Sequence, residues 1–164
     1  EGDFVLLDLW GKLKEPVDSV YADITWTGFI GKDIPKKHKE IFNIVSGARD
    51  EAIKFIENAV TNNQPIYGWQ VDDVTRNYII ERGHGKNFFH RTGHSIGTDV
   101  HFTGANIDNY ETRDTRRLIP HTCFSIEPGI YLPEFGIRSE IDLYIDNNKI
   151  LITGQPIQTE IVSC

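Results

Sequence analysis

The chain has 164 residues, 39% of them hydrophobic and 25% charged, and 24 acidic against 17 basic side chains leave a formal net charge of -7. That balance excludes a chain disordered as a whole, and a domain of roughly 150 residues buries about 70% of the surface its unfolded form exposes. No apolar run approaches the roughly 18 residues of a spanning helix, and no Lys/Arg-rich stripe offers the clustered charge a phosphate backbone requires, so neither a membrane nor a nucleic acid is an expected partner.

Phe4 to Trp10 is a short apolar run closed by Gly11, the pattern of a buried strand, and it carries Asp8. Ser19 to Phe29, rich in β-branched and aromatic types, predicts a second strand paired with the first, with Asp23 inside it. Pro35 opens a helix whose apolar face is Ile41, Ile44, Val45, Ala48, Ala52, Phe55, Ile56 and Val60. A second helix begins near Trp69, with Val71, Val74, Tyr78 and Ile79 on one face and Gly83 as its C-terminal stop. From Gly83 to Leu118 glycines and histidines alternate, which predicts loops. Strands return at Thr122 to Glu127, Gly129 to Leu132, Gly136 to Ile145, Ile150 to Ile152 and Thr159 to Val162, with a hairpin turn over Asp146 to Lys149. Trp10, Trp26 and Trp69 are expected in the core. The whole predicts one α+β domain over residues 1–164, a mixed, largely antiparallel sheet with two helices packed on one face.

The anomaly is chemical. Asp8, Asp23, His94, Glu127 and Glu140 stand in strands or at strand ends, and the neighbours of Asp8 and Glu127 read as buried. An ionised carboxylate inside a sheet costs several kcal/mol unless it is paired or holds a cation. Arg138 is the one close arginine for four carboxylates, so a pair of divalent ions is the better compensation, bringing the formal net charge from -7 to -3. Four carboxylates with one imidazole suit manganese, cobalt or zinc. Two such ions can activate a water and polarise a carbonyl, which points to hydrolysis without a covalent intermediate.

Leu6-Leu7-Asp8, Ala22-Asp23-Ile24-Thr25, His90-Arg91-Thr92-Gly93-His94-Ser95-Ile96-Gly97 followed by Asp99-Val100-His101, Ser125-Ile126-Glu127-Pro128-Gly129-Ile130-Tyr131 and Gly136-Ile137-Arg138-Ser139-Glu140 together resemble the pita-bread metallopeptidases. The last two strings resemble the aminopeptidase P and prolidase branch. The resemblance implies a partial pita-bread, creatinase-like fold with a curved sheet, the carboxy-terminal part of a catalytic domain truncated on its amino-terminal side. It implies that Asp23 and Glu140 bridge two metals, most often manganese, with Asp8 completing one and His94 and Glu127 the other. It further implies that His90 and His101 line the substrate site, and that Arg138 and Tyr131 support the Asp8 carboxylate. The expected reaction is cleavage of an amino-terminal Xaa-Pro bond by a hydroxide bridging both ions, in a peptide with proline after the scissile bond. The competing expectations are a methionine aminopeptidase-like activity, a non-catalytic peptide-binding module and an inactive fragment of an enzyme. Two positions depart from the family's pattern: Phe102 where an acidic residue commonly follows the histidine, and Trp26 where an arginine often follows Ile-Thr. Cys123 and Cys164 form no disulfide framework, so a cytoplasmic setting is expected, and a homo-oligomer is compatible with everything above.

Overall fold

The computed structural model describes residues 1–164. Strands β1 (Phe4–Gly11) and β2 (Ala22–Phe29) form an antiparallel hairpin that sets Asp8 opposite Thr25 and Trp10 opposite Asp23. The second strand starts at Ala22 rather than Ser19, because the Tyr21 N–H leaves the hairpin and donates to the Gly97 carbonyl at 2.9 Å. The edge strand β1 is not buried as its composition predicts: Leu7 is 56% and Leu9 68% exposed. The inner strand also inverts the usual pattern, since β2 buries Asp23, Thr25 and Thr27 while Ile24 and Trp26 stay half-buried on its other face. None of the three tryptophans belongs to the core; Trp10 stands open on β1, and Trp26 and Trp69 are half-buried.

Helix α1 (Lys36–Thr61) starts after Pro35, whose fixed φ suits a helix entry. Helix α2 (Gly68–Glu81) ends before Gly83, which takes a φ of +83° that a side chain would resist. Both helices lie on one face of a four-stranded sheet ordered β3 (Ser95–Ile96), β4 (Cys123–Ile126), β7 (Ile141–Asp146) and β8 (Lys149–Thr153). Ala52 and Ile56 of α1 and Val71 of α2 meet Phe124, Ile126, Ile141, Leu143 and Ile145, a core in which each fully buried aliphatic side chain contributes about 1.5–3 kcal/mol. The turn from β7 to β8 runs through Asn147 at a φ of +47°, a conformation asparagine tolerates.

The predicted strand from Gly136 to Ile145 is broken in two. Its first part, β6 (Gly136–Arg138), pairs with β5 (Gly129–Tyr131), and its second is β7. At the break, the buried Arg49 of α1 donates to Ser139 Oγ at 2.7 Å, while the Glu140 N–H turns to the Thr25 carbonyl at 3.3 Å. This redirection swings Glu140 across to β2. The closing strand β9 (Val162–Ser163) runs parallel to β2 and begins later than expected, because the Gln158 side chain already satisfies both the N–H and the carbonyl of Thr27, at 2.9 and 2.6 Å. No helix is long and apolar enough to cross a membrane.

Candidate metal centre and active site

Strand alternation builds the site. On β4 and β7 the residues Phe124, Ile126, Ile141 and Leu143 face the helices, so Ser125, Asp142 and the flanking Glu127 and Glu140 face the other way. His94 joins this polar row from the start of β3, its N–H donating to Ser125 Oγ at 3.0 Å. Gly93 precedes it because a Cβ there would meet the Ser125 carbonyl oxygen at 2.0 Å. From the opposite side β2 presents Asp23.

Ligand atoms of Asp23, His94 and Glu140 lie within 4.8 Å of one another, all three residues being buried. His94 Nε2 is 3.4 Å from both Asp23 Oδ2 and Glu127 Oε1. His94 Nδ1 donates to the Ser95 carbonyl at 3.3 Å, which leaves Nε2 facing the carboxylates. Thr25 Oγ1 donates to Glu140 Oε2 at 2.6 Å, and Ser125 Oγ donates to Glu127 Oε1 at 3.0 Å. The Asp23 N–H donates to Asp142 Oδ2 at 2.9 Å. Asp8 stands apart from the triad and more open, held by Arg138 Nη2; the same guanidinium donates through Nε to Thr25 Oγ1 at 3.1 Å.

All five predicted ligands line one cavity of about 450 Å³, together with His90, His101 and Arg138. Tyr131 lies behind it, its hydroxyl 2.8 Å from His90 Nε2 and beside the Arg138 guanidinium that holds Asp8. The His90 ring is fixed at its other nitrogen by the Arg91 carbonyl at 2.7 Å. The His101 ring meets His94 edge to face at 4.2 Å between centroids. A larger cavity of about 720 Å³ continues along the same sheet face over Cys123 and Tyr144. Burial pushes the Cys123 thiol up to about 12, which removes it as a nucleophile at neutral pH.

Electrostatics mark the centre as short of positive charge. Burial, then the charges of Glu127 and Asp23, push the Glu140 carboxyl up to about 9. Burial lifts Asp142 to about 7 against the hydrogen bond from the Asp23 N–H. Glu127 is raised by burial as well. Burial alone would lower His94, but the Asp23 hydrogen bond and the Glu127 charge hold it above its ordinary value. Asp23 Oδ1 and Asp142 Oδ1 are buried without any hydrogen-bond partner. Crowded carboxylates, orphaned acceptor oxygens and an imidazole aimed among them fit divalent cations of the manganese, cobalt or zinc type.

Several residues of this site carry no motif of their own. Thr25, Ser125 and Asp142 each sit two residues from a predicted ligand, so the two-residue period of a strand was the available signal. The support from α2 had none. Asp72, fully buried, accepts two hydrogen bonds from Arg76, at 3.0 and 2.9 Å, and also takes the Thr92 N–H, the Thr92 hydroxyl and the Asn109 N–H. Arg76 in turn donates to the carbonyls of Phe88 and His90, at 3.0 and 2.9 Å. One helical ion pair thus fixes the loop on both sides of His90.

Residues 1–147 match the model of metallopeptidase family M24. The chain belongs to that family. It is 34% identical over 148 residues to the Xaa-Pro dipeptidase of Pyrococcus horikoshii, covering 90% of this chain and 38% of that protein. It is 33% identical over 157 residues to the uncharacterized peptidase YqhT of Bacillus subtilis, covering 94% of this chain and 40% of that protein. Among solved structures, the X-Pro aminopeptidase of Thermotoga maritima superimposes with a TM-score of 0.81 at 31% identity, over 99% of this chain and 42% of that one. The prolidase of P. horikoshii gives 0.82 at 32% identity, over 98% and 42%. The fold of this M24 chain is therefore the pita-bread fold, and the chain spans about two-fifths of the length of the relatives it matches.

Proposed function

We propose that this M24 chain carries the metal centre of a proline-directed peptidase that cleaves an amino-terminal Xaa-Pro bond. The observation that carries the reading is the convergence of Asp23, His94 and Glu140 in a cavity also lined by Asp8, Glu127, His90 and His101. In this reading Asp8, Asp23, His94, Glu127 and Glu140 would hold two divalent ions, most readily manganese. Such ions, when bound, supply Lewis acidity to the scissile carbonyl and lower the pKa of the attacking water.

The chain's own residues do the rest. Thr25 and Ser125 fix the orientation of Glu140 and Glu127, the support that metal carboxylates need. Arg138 keeps the more open Asp8 turned toward the cavity. His101 makes no side-chain hydrogen bond within the protein, and burial together with the His94 and Arg91 charges lowers its pKa, so a neutral ring is free to donate to a substrate carbonyl. His90, lowered mainly by burial, has both ring nitrogens bonded, to the Arg91 carbonyl and the Tyr131 hydroxyl, and so serves as a fixed wall of the peptide site. The two free cysteines suit the cytoplasmic setting that this reading adopts.

The test is elemental analysis after dialysis against manganese, run beside hydrolysis of short Xaa-Pro and methionyl peptides. Two ions per chain with Xaa-Pro cleavage are expected. Cleavage of methionyl peptides alone would replace the substrate assignment, and absence of bound metal would remove the mechanism. Ions without cleavage by this chain, but with cleavage by a longer form containing it, would assign substrate shaping to the remaining length.

A further inference from the structure

Trp10 stands in the wall of the metal cavity, on the strand face that carries Asp8, while Leu7 and Leu9 point the other way. It is 61% exposed. In the hairpin register it lies directly opposite Asp23, where facing side chains are about 4.5–5.5 Å apart at Cβ. Single exposed apolar residues are ordinary on a protein surface, but this one is fixed. The Tyr21 ring meets the indole edge to face, with 5.8 Å between centroids. Tyr21 is anchored in turn: its N–H is bonded to the Gly97 carbonyl, and the Lys12 ammonium lies 5.0 Å over its ring while donating to the Thr98 carbonyl at 2.7 Å. An indole held in one orientation and left in water is a preformed apolar surface, which costs little further ordering when something covers it.

The rest of the cavity has almost nothing apolar to offer. Of the twelve residues lining it only Trp10 and Val100 are apolar, and the others are acids, histidines and arginines. Hydrogen bonding decides which part of a substrate meets the indole. The amino nitrogen of an unblocked peptide needs an acceptor, and the acid left open for it is Asp8, whose side chain is 42% exposed against 7% for Asp23 and 13% for Glu127. Arg138 engages only Oδ2 of Asp8, and a carboxylate has acceptor sites to spare. Glu111, the cavity's other open acid, is matched by Arg91. With the amino nitrogen at Asp8 and the scissile carbonyl at His101, the first residue lies between them. Its side chain, borne on the carbon next to that nitrogen, comes up against the indole beside Asp8, and the proline lies beyond the carbonyl.

We propose that Trp10 packs against the side chain of the substrate's first residue, so that the site selects peptides whose residue before proline is aromatic or long and aliphatic over those that begin with glycine. This rests on the peptidase reading above and adds the identity of the first residue.

The test titrates Phe-Pro and Gly-Pro analogues calorimetrically into manganese-loaded protein, each with a carbon atom in place of the proline nitrogen, so that the carbonyl stays but cannot be hydrolysed. The Phe analogue should bind about tenfold more tightly or better, the scale set by burying one aromatic side chain, and Trp10→Ala should bring the two within about twofold of each other while keeping its manganese. Binding of the Phe analogue should also move the tryptophan emission to shorter wavelength, and Trp10→Phe should lose that shift yet keep most of the preference. Equal affinities in the unaltered protein, or a preference that survives Trp10→Ala, overturn the inference and leave the peptidase reading standing. Failure of both analogues to bind the loaded protein overturns both.

Discussion

The two faces of the four-stranded sheet come from the same strands and follow opposite rules. Toward the helices, Phe124, Ile126, Ile141 and Leu143 are closely packed and apolar; on the other face Ser125, Asp142, Glu127 and Glu140 are as deeply withdrawn, yet polar and short of counter-charge. Burial therefore stabilises one face and strains the other. The strained face is the one to which the proposed function assigns the metal centre, in keeping with the way functional sites depart from the rules that stabilise the rest of a fold.

That contrast can be broken from either side. The largest effect is expected at the centre itself: Glu140→Gln should lower manganese affinity by more than the ~10–100-fold that loss of an outer partner costs, measured by competition with a chelator. In the chelated state the same variant should melt at a higher temperature than the unaltered protein above neutral pH, because it removes a carboxylate that repels its neighbours. Leu143→Ala, on the opposite face, should destabilise the fold by about 2–5 kcal/mol in denaturant titration while the folded fraction keeps its metal affinity. A Leu143→Ala protein that lost metal affinity in proportion to stability would merge the two faces into one unit. Thr25→Val should cost about 10–100-fold in metal affinity, because it removes only the hydroxyl that orients Glu140.

The contrast also sets the pH dependence. The folded-state pKa of Glu140 is raised to about 9, so its contribution to stability is fully present below the ordinary carboxylate range and is lost as pH rises toward about 9. The raised His94 acts in the same direction. The chelated protein should therefore melt at lower temperature at pH 9 than at pH 6, and saturating manganese should flatten the slope, since the ion displaces the proton. A chelated melting temperature that rises across this interval would mean that the carboxyl cluster is less crowded than its burial implies.

The helices and the five acidic and histidine positions that line one cavity are legible in the sequence because periodicity and misplaced charge are local properties. Ile41, Val45, Ala52 and Ile56 recur on one helical face, and no neighbour is needed to see it. The burial of β1 was misread because a strand's apolar composition does not say whether anything packs outside it. The break at Ser139 depends on Arg49, 90 positions away, and the hold on His90 depends on a helical ion pair whose spacing resembles an ordinary surface pair. Long-range hydrogen bonds of this kind leave no periodic trace.

The Asp72 carboxylate has a kinetic consequence. The amides of Thr92 and Asn109, 17 positions apart in the chain, donate to the same side chain, as does the guanidinium that grips the carbonyls of Phe88 and His90. These segments can be released only when that carboxylate lets go, so they should open as one cooperative unit with α2, their amide protons exchanging with solvent at a common free energy. The histidine loop moves at the tempo of the helix beneath it.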